Sequence, residues 1–256
     1  MKTLGVIPAR YGSTRLPAKA LAAIGDKTVL QRVWERASQA KKLTRVVVAT
    51  DHAEIESLAR SFGAEVVMTS PDHLTGSDRV AEVARILAGK GEQYSLIANV
   101  QGDMPFIEPA VIDQTVEALA NAPAEFGMAT VVSPLMDEQE FLRVSVVKCI
   151  FDSTNGALYF SRSPIPFRRD PERHQITESE PYGYKHFGLY VFRPAALEQL
   201  TNLPSGRLER REALEQLRAL ENGIRIKVAI VPYEVMARSI EIDTPEDLAR
   251  ANASIR

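Results

Sequence analysis

Apolar residues in the first half of the chain fall in short unbroken runs, and each run is followed by a stretch with helical spacing. Thr3–Ile7, Arg45–Thr50, Glu65–Thr69 and Tyr94–Val100 read as strands. Unbroken rather than alternating runs are expected where a strand is covered on both faces, as in a parallel sheet. Between them, Val29–Lys41 carries Leu30, Val33, Trp34 and Ala37 at helical spacing. Ala53–Phe62 (stopped by Gly63), Arg79–Ala88 and Pro109–Ala120 read as further helices. Strands alternating with helices predict βαβ units in a doubly wound sheet, whose ligands sit beyond the carboxyl ends of the strands.

After residue 126 the grammar changes. Met128–Pro134, Val144–Phe151, Ala157–Ser161 and Phe187–Phe192 read as strands, several with no helix between them. They predict a smaller antiparallel or mixed extension over about 127–192, on an otherwise single domain of 1–256. Arg168–Pro181 is polar and reads as a mobile loop. A helix at Glu212–Glu221, a strand at Ile224–Val231 and a last helix opening at Thr244-Pro245 complete the chain.

Composition narrows the function classes. The chain has 256 residues, 45% of them hydrophobic, and a net charge of −2. That supports a sizeable core and argues against a nucleic-acid or anionic-membrane partner. No apolar stretch approaches the ~20 residues that span a bilayer, and the amino terminus is charged too early for a secretory signal, so a cytoplasmic protein is expected. Cys149 is the only cysteine. It excludes an intrachain disulfide and reads as a buried core thiol.

The chemistry concentrates at strand ends. Directly after the first strand comes PARYGSTRLPAK, with Arg10, Arg15 and Lys19 set among Gly12, Ser13 and Thr14. Cations in a turn of small residues suit a polyphosphate, cradled by backbone N–H groups. The segment is neither a Walker loop nor a dinucleotide fingerprint. Asp103 ends a buried strand in NVQGDMP, where a carboxylate facing a phosphate loop suggests a magnesium ligand; a turn aspartate bonding its own backbone fits equally. Asp243, before the last helix, either favours the helix start or completes a two-carboxylate metal site with Asp103. Arg79 opens a helix after a Gly–Ser turn and suits a carboxylate. Arg162 and His186 flank aromatic strands, where a structural hydrogen-bonding role is the ordinary one. Glu215 and Gln216 are polar between leucines on a helix, where an exposed helix face is the ordinary reading.

The set PARYGSTRLPAK, ATDH, MTSPDHLTGSDR, NVQGD, ALYFSRSPIP, KHFGLY, LEQLR and IDTPEDL, in this order, resembles the 3-deoxy-manno-octulosonate (Kdo) cytidylyltransferases, the CMP-Kdo synthetase family. The resemblance implies a Rossmann-like nucleotide-diphospho-sugar transferase fold, with a mostly parallel sheet. It implies a homodimer, with the second-half strands forming its contact. It further implies that CTP and Kdo give CMP-Kdo and pyrophosphate with Mg2+, in lipopolysaccharide biosynthesis. By motif match, Arg10, Ser13, Arg15, Lys19 and Gln101 would serve the nucleotide, and Asp103 and Asp243 the metal. Lys19, Asp103 and Asp243 would be the catalytic set. Arg79, Arg162, His186, Tyr190, Glu215 and Gln216 would surround the sugar. Three departures stand out: Ala18-Lys19-Ala20 where the family has PGKP, Met104 in place of a glutamate, and the segment Arg143–Lys148 in place of D-P-N-x-V-K. Parts of the chain look like the branch acting on the 8-amino form of the sugar. A cytidylyltransferase for another nonulosonic acid and a catalytically silent nucleotide-binding protein are the alternatives.

Overall fold

In the computed structural model, residues 1–12, 16–169, 177, 179–237 and 239–255 are described. Seven strands form the main sheet: β1 (Thr3–Ala9), β4 (Arg45–Thr50), β5 (Glu65–Met68), β6 (Leu96–Asn99), β7 (Phe126–Leu135), β10 (Gly183–Phe192) and β11 (Arg225–Ile230). Their spatial order is β11-β7-β10-β6-β1-β4-β5. β1 pairs in parallel with β4 and β6, and β4 with β5. β10 runs antiparallel to both its neighbours, β6 and β7. A hairpin of β8 (Lys148–Phe151) and β9 (Ala157–Ser161) joins the edge of β10 through Lys148, opposite Lys185. The mixed α/β fold is as expected, but β7 and β10, expected in the smaller extension, lie within the main sheet, and it is the antiparallel β8–β9 hairpin that extends from it.

The sheet is covered on both faces, which is why its strands read as apolar runs. One core joins Ile7, Val48 and Ala98 to α1 (Val29–Ser38), α2 (Ala53–Ser61) and α4 (Pro109–Ala120). The other joins Leu4, Val6 and Ile97 to α3 (Gly76–Gly89), α6 (Pro194–Asn202) and α8 (Gln216–Glu221). Neighbours such as Val6 and Ile7 therefore serve opposite cores, each fully buried. Truncating either to alanine would cost on the order of 2–4 kcal/mol.

Several elements differ from expectation. α3 begins at Gly76 rather than Arg79, because Thr75 and Asp78 close a reciprocal capping box. β10 starts at Gly183, four residues before the expected Phe187. β8 starts at Lys148, not Val144. The segment before it turns back, and the Lys148 ammonium donates to the carbonyls of Arg143 (3.0 Å) and Val146 (2.5 Å). The helix expected over Glu212–Glu221 is broken. α7 (Arg207–Glu212) stops at Ala213, whose φ of 52° is left-handed, and α8 starts afresh at Gln216. The break is held because the Glu212 carboxylate accepts from Ser161 Oγ (2.6 Å) and the Arg162 amide (3.0 Å). α6, the short hairpin β2 (Ala23–Ile24) with β3 (Lys27–Thr28), α5 (Glu138–Leu142) and α9 (Tyr233–Met236) were not anticipated; α10 (Pro245–Ser254) opens where expected. The loop expected at Arg168–Pro181 lies largely outside the described residues. Cys149 is buried, and burial pushes its thiol well above the ordinary cysteine range.

Candidate active site

The carboxyl ends of β1, β5 and β6 open on one cleft of about 350 Å³. Arg10, Lys19, Gln101 and Asp103 line one side; His73, Thr75, Gly76 and Arg79 line the other, with Glu215 and Asp243 completing it. Loops far apart in sequence meet as the parallel strands predict. Ser13 and Arg15 lie outside the described residues.

Lys19 reaches the cleft from a single 3-10 turn, Lys19–Leu21, with Ala20 buried beneath it. Ala18, the residue before it, takes φ 53°, a left-handed conformation that glycine adopts at no cost and alanine adopts with strain. The turn is tied back by the Ala18 amide donating to the Tyr11 carbonyl at 3.1 Å. On the same side, Gly102 passes close to β1: a Cβ there would lie 2.8 Å from the Pro8 carbonyl oxygen. Only glycine allows this approach, and it sets where Asp103 sits. The Ile242 amide then donates to the Asp103 carbonyl at 2.8 Å, fastening the two carboxylate-bearing segments side by side. Asp243 precedes Thr244, which caps α10 through a capping box with Asp247.

Three charges result at one point. Lys19 Nζ donates to Asp103 Oδ2 at 2.9 Å and to Asp243 Oδ1 at 3.1 Å, all half-buried. Burial disfavours the ammonium, but the carboxylates of Asp103 and Asp243 outweigh it and hold Lys19 above the ordinary lysine range. Glu241, which sequence reasoning missed, lies nearby; burial, and then the charge of Asp103, push its carboxyl up to about 7. Its position in EIDTPED, two residues before Asp243, was the available signal.

The other predicted residues separate. Arg79 lines the cleft, but its guanidinium is engaged by Thr69 and, at 2.9 Å, by Asp51. Tyr190 is buried and donates to Gln216 Oε1 at 3.1 Å. His186 pairs through Nε2 with Thr130 Oγ1 at 2.9 Å and stands edge-on to Phe160; burial drives its pKa down to about 3, so the ring is neutral. Burial raises the Glu215 carboxyl, against the hydroxyls of Thr75 and Ser77 and the charge of Arg218. Arg162 is not part of the cleft lining. It stabilises the α7–α8 break, with Nε donating to the Glu212 carbonyl at 2.7 Å. Lys148, also missed, is fully buried and donates to the Arg162 carbonyl at 2.5 Å.

A cationic loop and two carboxylates gathered in contact at one cleft can hold a triphosphate and neutralise a departing phosphate. The comparisons agree with that chemistry. A family model described as cytidylyltransferase matches residues 4–226. The 3-deoxy-manno-octulosonate cytidylyltransferase of Solibacter usitatus is 49% identical over 98% of this chain and 93% of its own length. The 8-amino-3,8-dideoxy-manno-octulosonate cytidylyltransferase of Shewanella baltica is 45% identical over 96% of this chain and 95% of its own. Among solved structures, a CMP:2-keto-3-deoxy-manno-octonic acid synthetase complexed with CTP superposes with a TM-score of 0.88. It is 35% identical, covering all of this chain and 98% of that one. By model match, sequence identity over nearly its whole length and fold, this chain belongs to the cytidylyltransferase family of nucleotidyltransferases.

Proposed function

We propose that this enzyme couples CTP to Kdo, giving CMP-Kdo and pyrophosphate, as a step in lipopolysaccharide biosynthesis. The observation that carries the reading is the Asp103–Lys19–Asp243 cluster at the mouth of the cationic loop. The anomeric hydroxyl of the sugar acid attacks the α-phosphorus. A new O–P bond forms there, the bond from the α-phosphorus to the α–β bridging oxygen breaks, and the hydroxyl proton is released to solvent as pyrophosphate departs. Arg10 and Lys19 bind the triphosphate, and Lys19 neutralises the pyrophosphate as it leaves. Gln101 borders the nucleotide. Positioning and charge neutralisation are sufficient, so no covalent enzyme intermediate is needed.

The donor set suits magnesium. Asp103 and Asp243 present two hard carboxylate oxygens close enough to share one ammonium. Among the described residues no group of three or more His, Cys, Asp or Glu could hold a metal. Two protein carboxylates with phosphate oxygens completing the shell is the arrangement Mg2+ favours. When bound there, the ion would supply charge neutralisation at the phosphates.

On the acceptor side, His186, Tyr190, Glu215 and Gln216 would form the sugar wall. Arg79 would border it, and Arg162 would shape it by holding the Glu212–Gln216 break. The 8-amino sugar is the second reading, favoured by the 45% identity to the Shewanella baltica enzyme named for it. A homodimer is part of the proposal: Leu142, Val144, Leu158 and Phe167 expose large apolar side chains on and beside the strand-rich extension. A cytoplasmic location goes with the nucleotide substrate, and no helix among the described residues is long and apolar enough to cross a membrane.

The test is pyrophosphate release from CTP and Mg2+ with Kdo and 8-amino-Kdo supplied side by side. Release with Kdo supports the main reading. Release only with the amino sugar replaces it by the second. Release with neither overturns both.

A further inference from the structure

Seven buried side-chain polar atoms find no hydrogen-bond partner among the described residues, and four of them belong to three residues around Tyr190. They are Asn99 Oδ1 and Nδ2, Glu215 Oε1 and Gln216 Nε2. Native proteins rarely leave such groups unmatched, so a cluster of them calls for a cause.

The geometry joins them. Asn99, fully buried, is the last residue of β6 and lies directly opposite Tyr190 in the β6–β10 ladder. The Tyr190 hydroxyl holds Gln216 through Oε1, which leaves Gln216 Nε2 as a spare donor. Glu215, the residue before it, lines the cleft, and so does Gly76. Gly76 is the opening: a Cβ built there would lie 3.7 Å from Asn99 Nδ2 and 3.4 Å from Pro8 Cγ. Because the residue is glycine, no side chain stands between the cleft-lining backbone of residue 76 and the Asn99 amide, which with Gln216 lies just behind the lining.

We infer that Asn99, Glu215 and Gln216 form one hydrogen-bonding floor for the hydroxyl face of the sugar acid, with Asn99 as a specificity-determining residue. The inference rests on the proposed sugar-activating function and extends it to the uncharged first residue of NVQGD, which was not among the expected site residues. The four atoms are two acceptors (Asn99 Oδ1 and Glu215 Oε1 as carboxylate) and two donors (Asn99 Nδ2 and Gln216 Nε2). A sugar hydroxyl donates and accepts at once, so neighbouring hydroxyls match such a set. A site built this way discriminates against an acceptor lacking the hydroxyl, because its own buried groups would then stay unpaired.

The discriminating property is stability. An amide serving the core would be missed when removed; an amide awaiting a ligand burdens the free protein, and an apolar replacement relieves it. The experiment compares wild type with Asn99→Val and Asn99→Thr for thermal midpoint without ligands, and for KM of CTP and of Kdo in pyrophosphate release. The expected result for Asn99→Val is an unchanged or higher midpoint, a Kdo KM raised about 10-fold or more and an unchanged CTP KM. Asn99→Thr, which keeps one hydroxyl on a β-branched frame, should fall between. An unchanged Kdo KM overturns the inference, as does a midpoint lowered by more than about 4 °C. If wild type releases no pyrophosphate with either sugar, the proposed function fails. The floor is then judged by the midpoint alone: a fall overturns it, and constancy or a rise supports it.

Discussion

Lys19 Nζ donates to Asp103 Oδ2 at 2.9 Å across 84 positions of sequence. The contact joins the loop after β1 to the loop after β6, and Asp243 closes it from a third segment at 3.1 Å. On the proposed function, a cation shared by two half-buried carboxylates would exchange partners when phosphates and a divalent cation bind.

Asp103→Asn should keep the fold, since the side chain reaches into a cleft rather than a core. It should remove a metal ligand and lower turnover by ~10²-fold or more. Steady-state pyrophosphate release across a magnesium titration measures this. Near-normal turnover at ordinary magnesium would remove Asp103 from the metal site.

Lys19→Met keeps the length of the side chain and loses its charge. Asp103 and Asp243 would then face each other without their shared cation. The expected outcome is a kcat lower by roughly 10²–10³-fold and a raised KM for CTP, with the Kdo KM little changed. A variant impaired only in Kdo binding would contradict the assignment.

Gly102→Ala places a methyl 2.8 Å from the Pro8 carbonyl oxygen, which is backbone and cannot swing aside. The 101–103 loop must retreat from β1 and take Asp103 with it. A displacement of that kind costs on the order of 10²-fold in kcat/KM, although no charged group has been altered. Retained activity would mean that the loop has slack.

Arg162→Ala removes the Nε donor to the Glu212 carbonyl at the α7–α8 break. Urea unfolding should show a loss of about 1–3 kcal/mol. Because the break presents Glu215 and Gln216, the Kdo KM should rise while the CTP KM holds. An equal rise in both would tie Arg162 to the nucleotide side.

His186 gives the enzyme a predictable weakness in acid. Burial lowers its pKa to about 3, whereas the unfolded chain takes the proton near 6.5. Between those values the unfolded state binds more protons, so stability falls as pH drops from about 6.5 toward 3. The limiting slope for this one group is about 1.4 kcal/mol per pH unit. Above pH 6.5 it contributes nothing. His186→Gln should flatten the acid side of a urea-stability profile relative to wild type; parallel profiles would refute the buried neutral ring.

β4 was legible in the sequence because its apolar run is unbroken, and α4 because its buried residues recur at helical spacing; both begin and end where the pattern places them. The α7–α8 break was not legible. Ala213 becomes left-handed only because Glu212 is held by Ser161 and Arg162, some 50 positions away. Lys19 and Asp103 were found from charge in loops after strands, and Asp243 from its place before the last helix, together with family resemblance. Arg162 carried the same kind of signal, yet it lies outside the cleft lining and bonds the backbone of the break. Asn99 escaped notice for a different reason: its meaning lies in the partners it lacks, which no string of residues displays.

The reversed direction of β10 has a consequence for how such an enzyme can diversify. β1 and β6 run one way and deliver the cationic loop and Asp103, whereas β10 enters against them and carries His186 and Tyr190 from a separate part of the chain. On the proposed function, the nucleotide loop and most of the acceptor wall are thereby written in different stretches of the gene, with Asn99 at the end of β6 the one acceptor residue beside the nucleotide segment. Exchange of residues along β10 and the α7–α8 break can retune the acceptor while the nucleotide machinery is inherited intact.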